Sequence, residues 1–193
     1  MSSITRFILD RASEPRLEQP APPVAVVDQA FQCASRAPDH ALLRPWRYLV
    51  VEGGGLAALG KLFAACCPPE ASEKEQERAR NAPLRAPMVI VGVASPRPHP
   101  KVPEAEQVMS AAVGMSFISL ALNEAGFGTM WRTGPVAYHS SLHEGLGLES
   151  GESVVGFLYT GTVASKKPQV PRPEPRDYVA RWEAPDRIMP WQE

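Results

Sequence analysis

The feature that most constrains the fold is a long apolar stretch in the second half of the chain. From residue 108 to residue 122 nearly every side chain is apolar or small, and Pro103, Glu104 and Glu106 before it suit the first turn of a helix. We predict a helix over about residues 103–125. A helix that is apolar on all faces is buried. It is therefore either the central helix of a monomer, or it packs on its own core with one side and on a second subunit with the other. The small residues that would allow close approach are Ser110, Ala111, Ala112 and Gly114.

The most apolar short segment is residues 87–94, which predicts a central strand covered on both faces. Further strands are predicted at residues 47–51, 129–133 and 154–160. Helices are predicted near residues 4–11, 24–34, 56–66, 70–82 and 140–146, with an extended link at residues 15–23. This order favours a central sheet with helices on both faces.

Charge and cysteine content exclude several classes of protein. The chain of 193 residues carries 20 basic and 21 acidic residues, so it lacks the basic excess of a nucleic-acid-binding domain. Its cysteines, Cys33, Cys66 and Cys67, are odd in number and lack metal-ligand spacing. The first eleven residues show no leader pattern, and residues 108–122 are too few to span a bilayer. We therefore expect a soluble cytoplasmic protein without a metal site.

The chain divides into a body and a tail. Residues 1–165 contain all the predicted helices and strands, whereas residues 166–193 are rich in proline and charge, with Tyr178 and Trp182 among them. Such a tail cannot form a core of its own. Its aromatic residues predict that it docks on the body or wraps around a partner subunit.

Three basic clusters at predicted element ends are candidates for a binding site. They are residues 11–13 with Arg16, then Arg36 with His40 and Arg44, then residues 131–133. A guanidinium beside short donors suits a phosphate, and three or four charge-assisted bonds of roughly 1.5–3 kcal/mol each would supply most of the roughly 8 kcal/mol of a micromolar site. Any single arginine more often caps a helix or pairs with a surface acid.

Other candidate residues leave alternatives open. His40 could be a general base, a ligand contact or a solvent-facing loop residue, and Trp46 and Trp131 could stack on a planar ligand or belong to the core. A Ser-His-Asp order, a paired-carboxylate motif and a glycine-rich dinucleotide fingerprint are not visible. The pattern therefore does not favour hydrolytic chemistry or a Rossmann site.

Three stretches, in this order and spacing, resemble the signatures of the nitroreductase family, and of its small YdjA-type members above all. They are Arg11-Ala-Ser13, then Arg36-Ala-Pro-Asp-His40 with Arg44-Pro-Trp46, then Gly126-Phe-Gly-Thr-Met-Trp-Arg-Thr-Gly134. Supporting stretches are Ala79-Arg-Asn-Ala-Pro83, Arg85-Ala-Pro87, Lys101-Val-Pro103, Glu106-Gln107 and Val155-Gly-Phe-Leu-Tyr-Thr-Gly161. The resemblance extends to about residue 162.

The resemblance implies an α+β fold with a mainly antiparallel sheet, and an obligate homodimer with FMN at its interface. The residues implied to contact FMN are Arg11, Ala12 and Ser13 from one chain, Arg36 and His40 from the other, and Trp131, Arg132 and Thr133. The residues implied to contact NAD(P) are Ala121, Leu122, Asn123, Glu124, Ala125 and Gly126. No side chain is implied as a catalytic group, because the hydride chemistry takes place on N5 of FMN.

The implied activity is a ping-pong reduction in which NAD(P)H delivers hydride and a nitroaromatic, quinone or related small electrophile then accepts it. The alternatives are a flavin-binding module without turnover, such as a sensor or storage protein, and a member with specialised flavin chemistry, such as reductive dehalogenation. Ala12, Asp39, His40 and Arg44 depart from the broad family pattern. Asp39 and His40 occur in the small subgroup, so Arg44 is the unusual residue of the loop.

Overall fold

The computed structural model describes residues 3–165 and 171–191. Its α-helices are α1 Ser3–Asp10, α2 Val24–Ala34, α3 Gly54–Ala65, α4 Glu73–Arg80, α5 Glu104–Glu124 and α6 Ser140–Gly145. Its strands are β1 Leu17–Glu18, β2 Trp46–Glu52, β3 Met88–Ala94, β4 Gly128–Arg132, β5 Ser153–Val163, β6 Ala180–Ala184 and β7 Arg187–Pro190. Short 3₁₀ helices occupy His40–Leu42, Pro83–Arg85, Pro135–Tyr138 and Pro175–Asp177.

A five-stranded antiparallel sheet forms the centre of the body. Strand β5 pairs with β1, β3 and β4, and β3 pairs in turn with β2. Every residue of β3 is buried, as expected for an apolar strand with neighbours on both sides. The predicted α+β architecture with an antiparallel sheet is confirmed.

Helices cover both faces of this sheet, as predicted. On one face, α3 packs its apolar side, including Leu59 and Phe63, against Val91 and Phe157. On the other face, α2 and α5 pack against Ile90 and Leu158. Because strand residues alternate between faces, each core layer draws every second residue of β3 and β5.

Helix α5 is the central helix of the second layer. Met115, Ile118 and Leu122 are fully buried. Ser110 and Gly114 approach α2 and β2 of the same chain: the Ser110 hydroxyl donates to the Pro38 carbonyl at 2.6 Å, and a Cβ at Gly114 would collide with the Tyr48 hydroxyl. The small residues therefore serve packing within the chain, whereas the opposite side, with Met109 64% exposed, remains uncovered.

The length and mean hydropathy of α5 also match those of a membrane-spanning helix. That match is weak evidence, since the core helices of soluble proteins pass the same criterion. Burial against α2 and the sheet accounts for the apolar residues on one side of this helix.

Two segments differ from the sequence prediction. The link at residues 15–23 contains the two-residue strand β1, which pairs with the end of β5; two residues are too few to give a periodic pattern. In the tail, β6 and β7 form an antiparallel hairpin with Trp182 and Ile188 exposed. The start of the predicted tail, residues 166–170, lies outside the described residues.

An ion pair ties one end of the sheet to the loop before β5. Arg47 in β2 donates from Nε and Nη2 to the two Glu152 carboxylate oxygens at 2.7 and 2.6 Å. The Ser95 hydroxyl and the Glu149 amide also donate to this carboxylate. The Arg47 hydrogen bonds, followed by those of Ser95 and Glu149, lower the pKa of Glu152 to about 2 against partial burial. We call Arg47, Ser95, Glu149 and Glu152 the Glu152 cluster.

Candidate functional site

The loop between α2 and β2 opens onto a cavity of about 590 Å³. Arg36, Arg44 and Trp46 line this cavity. Trp46 is half-buried rather than a full core residue, so part of its indole ring remains available to a ligand. We call this space the loop cavity.

The backbone of this loop is strained. Ala41, Leu42 and Arg44 have φ of 65°, 53° and 49°, in the left-handed region where a side chain costs roughly 1 kcal/mol or more. The Asp39 carboxylate holds the loop in this shape by accepting from the amides of Leu43 at 3.1 Å and Arg44 at 2.8 Å. Strain kept in place by a dedicated acceptor is typical of functional loops.

His40 lies on the outside of the same loop. Its Nδ1 is 3.1 Å from Oε2 of Glu106, near the start of α5, and both side chains are about half exposed. This contact, with the Ser110 bond to Pro38, fastens the loop to the N-terminal end of α5.

The second part of the candidate site, after the loop between α2 and β2, is formed by residues 11–13, which lie beside β4. All three are half-buried, and the amide of the next residue, Glu14, donates to the Thr129 carbonyl at 2.9 Å. Ser119 and Asn123 of α5 hold Thr129 in turn through its hydroxyl, at 2.7 and 3.0 Å. This half of the site is therefore anchored to the C-terminal end of α5.

Trp131 and Arg132 point to opposite faces of β4. The Trp131 indole packs over Gly156 on the α5 side, where any Cβ would collide with it. The Arg132 guanidinium lies over the Tyr159 ring on the α3 side, at 5.6 Å from the ring centroid. Its buried Nε has no partner among the described residues. Trp131 and Arg132 are therefore neighbours in the sequence, but their side chains do not line the same cavity.

A second cavity, of about 370 Å³, lies on the α3 side of β4. Arg85, Arg132, Thr133 and Tyr159 contribute to its walls, and the cysteine pair Cys66 and Cys67 forms another part. Burial raises the pKa of Tyr159, and the positive charges of Arg132 and Arg85 oppose that rise. We call this space the β4 cavity.

Arg85 and Tyr159 of the β4 cavity were not predicted as site residues. Arg85 stands at the end of a short helix. The three recognised clusters also lie at the ends of helices or strands, so the same criterion could have found Arg85. Tyr159 carries no such signal, because its β5 segment is uniformly apolar and predicts a buried strand.

The two halves of the candidate site lie far apart within one chain. His40 contacts Glu106 near the start of α5, whereas Thr129 is held by Asn123 near its end. At 1.5 Å per residue these two helix positions are about 26 Å apart. The structure therefore brings residues 11–13 close to β4, but it does not bring Arg36 and His40 to either.

The residues implied for NAD(P) have three different surroundings. Leu122 is fully buried, and the Asn123 side chain donates to the Phe127 carbonyl and the Thr129 hydroxyl, so both serve the core. Ala121, Glu124 and Ala125 line an apolar groove of about 290 Å³ between α1, α2 and α5. Gly126, with φ of 90°, ends the helix.

Comparison with known proteins agrees with this architecture. The profile of the Nitroreductase family matches residues 9–162. The Escherichia coli K12 protein named "Putative NAD(P)H nitroreductase YdjA" is 35% identical over 173 residues, which cover 88% of this chain and 94% of that protein.

Solved structures show the same fold. The nitroreductase-like family protein from Bacillus cereus superposes with a TM-score of 0.85 at 23% identity, covering 95% of this chain and 98% of its own. The FMN and NADPH-dependent nitroreductase NfnB from sphigopyxis sp. strain HMH gives a TM-score of 0.72 at 18% identity, covering 95% and 100%.

The antiparallel α+β fold and the match to these relatives define an oxidoreductase of the NAD(P)H nitroreductase type. The chain belongs to the nitroreductase family.

Proposed function

We propose that this protein is an FMN-dependent oxidoreductase that uses NAD(P)H to reduce nitroaromatic, quinone or related electrophilic acceptors. The observation that carries the proposal is the division of the candidate site between the two ends of α5, on a chain of the nitroreductase family. Each end presents basic side chains beside a cavity or a strand end. Two chains related by a twofold axis, with their α5 helices antiparallel, would bring the two half-sites together.

The residues present fit FMN. Its phosphate calls for forked charged donors with short donors nearby, which Arg11 and Ser13 supply. Arg132 offers a buried Nε donor without a partner among the described residues, and such a donor is costly unless a ligand accepts from it. We propose that FMN is held by Arg11, Ala12, Ser13, Trp131, Arg132 and Thr133 of one chain and by Arg36 and His40 of the other.

When bound, FMN supplies reversible two-electron chemistry at N5, and the protein supplies position, access and charge. Positive charge from Arg36 or Arg132 beside the ring would raise the reduction potential of the cofactor. In the complete reaction one NAD(P)H and one proton convert a nitro group to a nitroso group and water, and NAD(P)⁺ is released.

The uncovered side of α5 supports a homodimer. Met109, in the first half of α5, is 64% exposed, so it leaves apolar surface on the side of this helix that its own chain does not cover. A twofold axis across α5 would place the start of one copy beside the end of the other. The groove next to Ala121, Glu124 and Ala125 is the remaining candidate for contact with the nicotinamide cofactor.

The tail is proposed as an extension that docks on the body. The Arg172 guanidinium donates to the Arg11 carbonyl, and this contact supports docking of the tail beside the proposed phosphate contacts. Three free cysteines are in keeping with a reducing compartment, so we propose a cytoplasmic location.

Flavin binding and turnover are tested in sequence. The protein is purified with added FMN, its visible absorbance is measured, and NADH or NADPH is added anaerobically before a nitroaromatic acceptor. We expect a yellow protein that bleaches with the nicotinamide and recovers colour with the acceptor. A colourless protein that takes up no FMN would overturn the proposal, and a yellow protein that neither nicotinamide bleaches would identify a binding module without turnover.

A further inference from the structure

The loop cavity carries positive charge that no acid of the described chain neutralises by direct contact. Arg36 and Arg44 both line it, and neither guanidinium has a hydrogen-bond or ion-pair partner within residues 3–165 and 171–191. The one acid in its wall is Asp39, whose two carboxylate oxygens accept from backbone amides. The cavity therefore favours an anion.

The position of Arg44 is fixed before any ligand arrives. Its amide donates to Asp39 at 2.8 Å, and its carbonyl accepts from the Trp46 amide, also at 2.8 Å. Both backbone groups of Arg44 are thus engaged, in a left-handed conformation that the free chain seldom adopts. Preorganisation of this kind lowers the entropy cost of binding a ligand.

Apolar surface lies beside this charge. The half-buried Trp46 indole and the exposed Leu42 side chain line the same cavity as the two guanidiniums. A planar aromatic ring would stack on the indole, and a carboxylate on that ring would accept a forked hydrogen bond from a guanidinium. The volume of about 590 Å³ suits a small molecule of this kind.

We propose that Arg44 determines acceptor specificity, and that the loop cavity receives aromatic acceptors that carry a carboxylate. This inference rests on the proposed function, in which Arg36 reaches the flavin from this cavity. Arg44 then binds the anionic end of the acceptor while the reducible group faces the flavin. The redox balance is the one given above: NAD(P)H and a proton supply the two electrons and two hydrogens that convert nitro to nitroso and water.

The test separates the two halves of the reaction. Wild-type protein and Arg44→Gln are loaded with FMN and reduced anaerobically with NADH or NADPH, and then reoxidised with 4-nitrobenzoate or the neutral 4-nitrobenzyl alcohol. Lys61→Gln, on the exposed side of α3, removes the same charge away from the cavity. We expect Arg44→Gln to slow reoxidation by subsaturating 4-nitrobenzoate about tenfold, the effect of one charge-assisted bond near solvent.

Arg44→Gln should be reoxidised by 4-nitrobenzyl alcohol, and reduced by either nicotinamide, at rates within about twofold of wild type. Lys61→Gln should stay within about twofold of wild type in every reduction and reoxidation step. Slower reduction by NADPH alone would assign Arg44 to the cofactor phosphate and overturn the proposal. Equal slowing of both acceptors would overturn it too, since it would indicate a general disturbance of the site.

A binding measurement decides the same question without turnover. The probe for calorimetry is benzoate, which carries the carboxylate but has no nitro group to be reduced. Benzoate should bind to the wild type and to Lys61→Gln, and it should bind about tenfold more weakly to Arg44→Gln. Benzyl alcohol should show no such difference. Undetectable benzoate binding to the wild type, or equal binding to Arg44→Gln, overturns the inference. If neither nicotinamide bleaches the flavin, the proposed function fails. Calorimetry then still decides whether Arg44 binds a carboxylate in the loop cavity.

Discussion

Two arginines three residues apart in sequence have opposite surroundings. Arg47 is two-thirds buried, at 34% side-chain exposure, and its guanidinium holds Glu152 with two hydrogen bonds. Arg44 is exposed, lines a cavity and has no side-chain partner among the described residues. The same residue type therefore stabilises the fold at one position and is available to a ligand at the other, and what differs is whether an acid lies within reach.

The backbone shows the same contrast. Arg47 belongs to β2 and pairs in register with Val93 of a buried strand. Arg44 lies in a loop with three left-handed non-glycine residues, and the Asp39 carboxylate accepts from two amides of this loop. The strained loop next to the rigid strand β2 holds the backbone of Arg44 at a defined position, although the arginine side chain itself is flexible. A binding residue requires such a fixed backbone position.

The largest effect on stability is expected from the Glu152 cluster. Glu152→Ala removes the acceptor of the Ser95 hydroxyl and the Glu149 amide. It also leaves the two-thirds-buried Arg47 guanidinium without a carboxylate, although the Gly147 carbonyl at 3.0 Å still accepts from it. We expect the free energy of unfolding to fall by about 2–3 kcal/mol, because an unpaired, partly buried charge is costly. Urea denaturation measures it. Arg44→Ala and the exposed Glu144→Ala should each change stability by less than about 0.5 kcal/mol, and a loss in Arg44→Ala as large as that in Glu152→Ala would contradict the contrast.

The same cluster predicts a pH dependence. The pKa of Glu152 is lowered from its ordinary 4.5 to about 2, so the folded state favours the charged carboxylate. Its contribution is fully present above pH 4.5 and disappears as the pH falls toward 2. The stability difference between wild type and Glu152→Gln should therefore shrink over this interval. A difference that stays constant would show that charge plays no part in the cluster.

The positions of most helices and strands could be predicted from the sequence, whereas the side-chain contacts between them could not. The sequence predicted α5 over residues 103–125, within a residue of its observed ends, Glu104–Glu124. It could do so because a long apolar run and the proline and acidic residues that begin a helix are local features of the sequence. The basic loop was also found from sequence. Which of its arginines is paired could not be found, since Arg47 meets Glu152 across 105 positions. Likewise, the separation of the two half-sites along α5 depends on the tertiary contacts of His40 and Thr129.

A smaller effect is expected at Asp39, which shapes the loop around Arg44. Asp39→Ala removes the acceptor of two amides, so we expect a loss of about 1 kcal/mol in stability and faster hydrogen–deuterium exchange at Leu43 and Arg44. Asp39→Asn keeps one acceptor oxygen and should show an intermediate exchange rate. Unchanged exchange in Asp39→Ala would show that the carboxylate does not hold the loop.

The smallest effect on stability is expected at Ala41, where it tests whether the loop backbone is strained. Ala41 has φ of 65° and is exposed, so Ala41→Gly should relieve the left-handed cost and stabilise the protein by about 0.5 kcal/mol after the greater flexibility of glycine in the unfolded chain is subtracted. Ala57→Gly, at an exposed position inside α3, makes the same chemical change in helical backbone and should destabilise by about 0.5–1 kcal/mol. Thermal unfolding of both variants gives the comparison. If Ala41→Gly destabilises as Ala57→Gly does, the loop is not strained at this residue, and the preorganisation of Arg44 would depend on Asp39 alone.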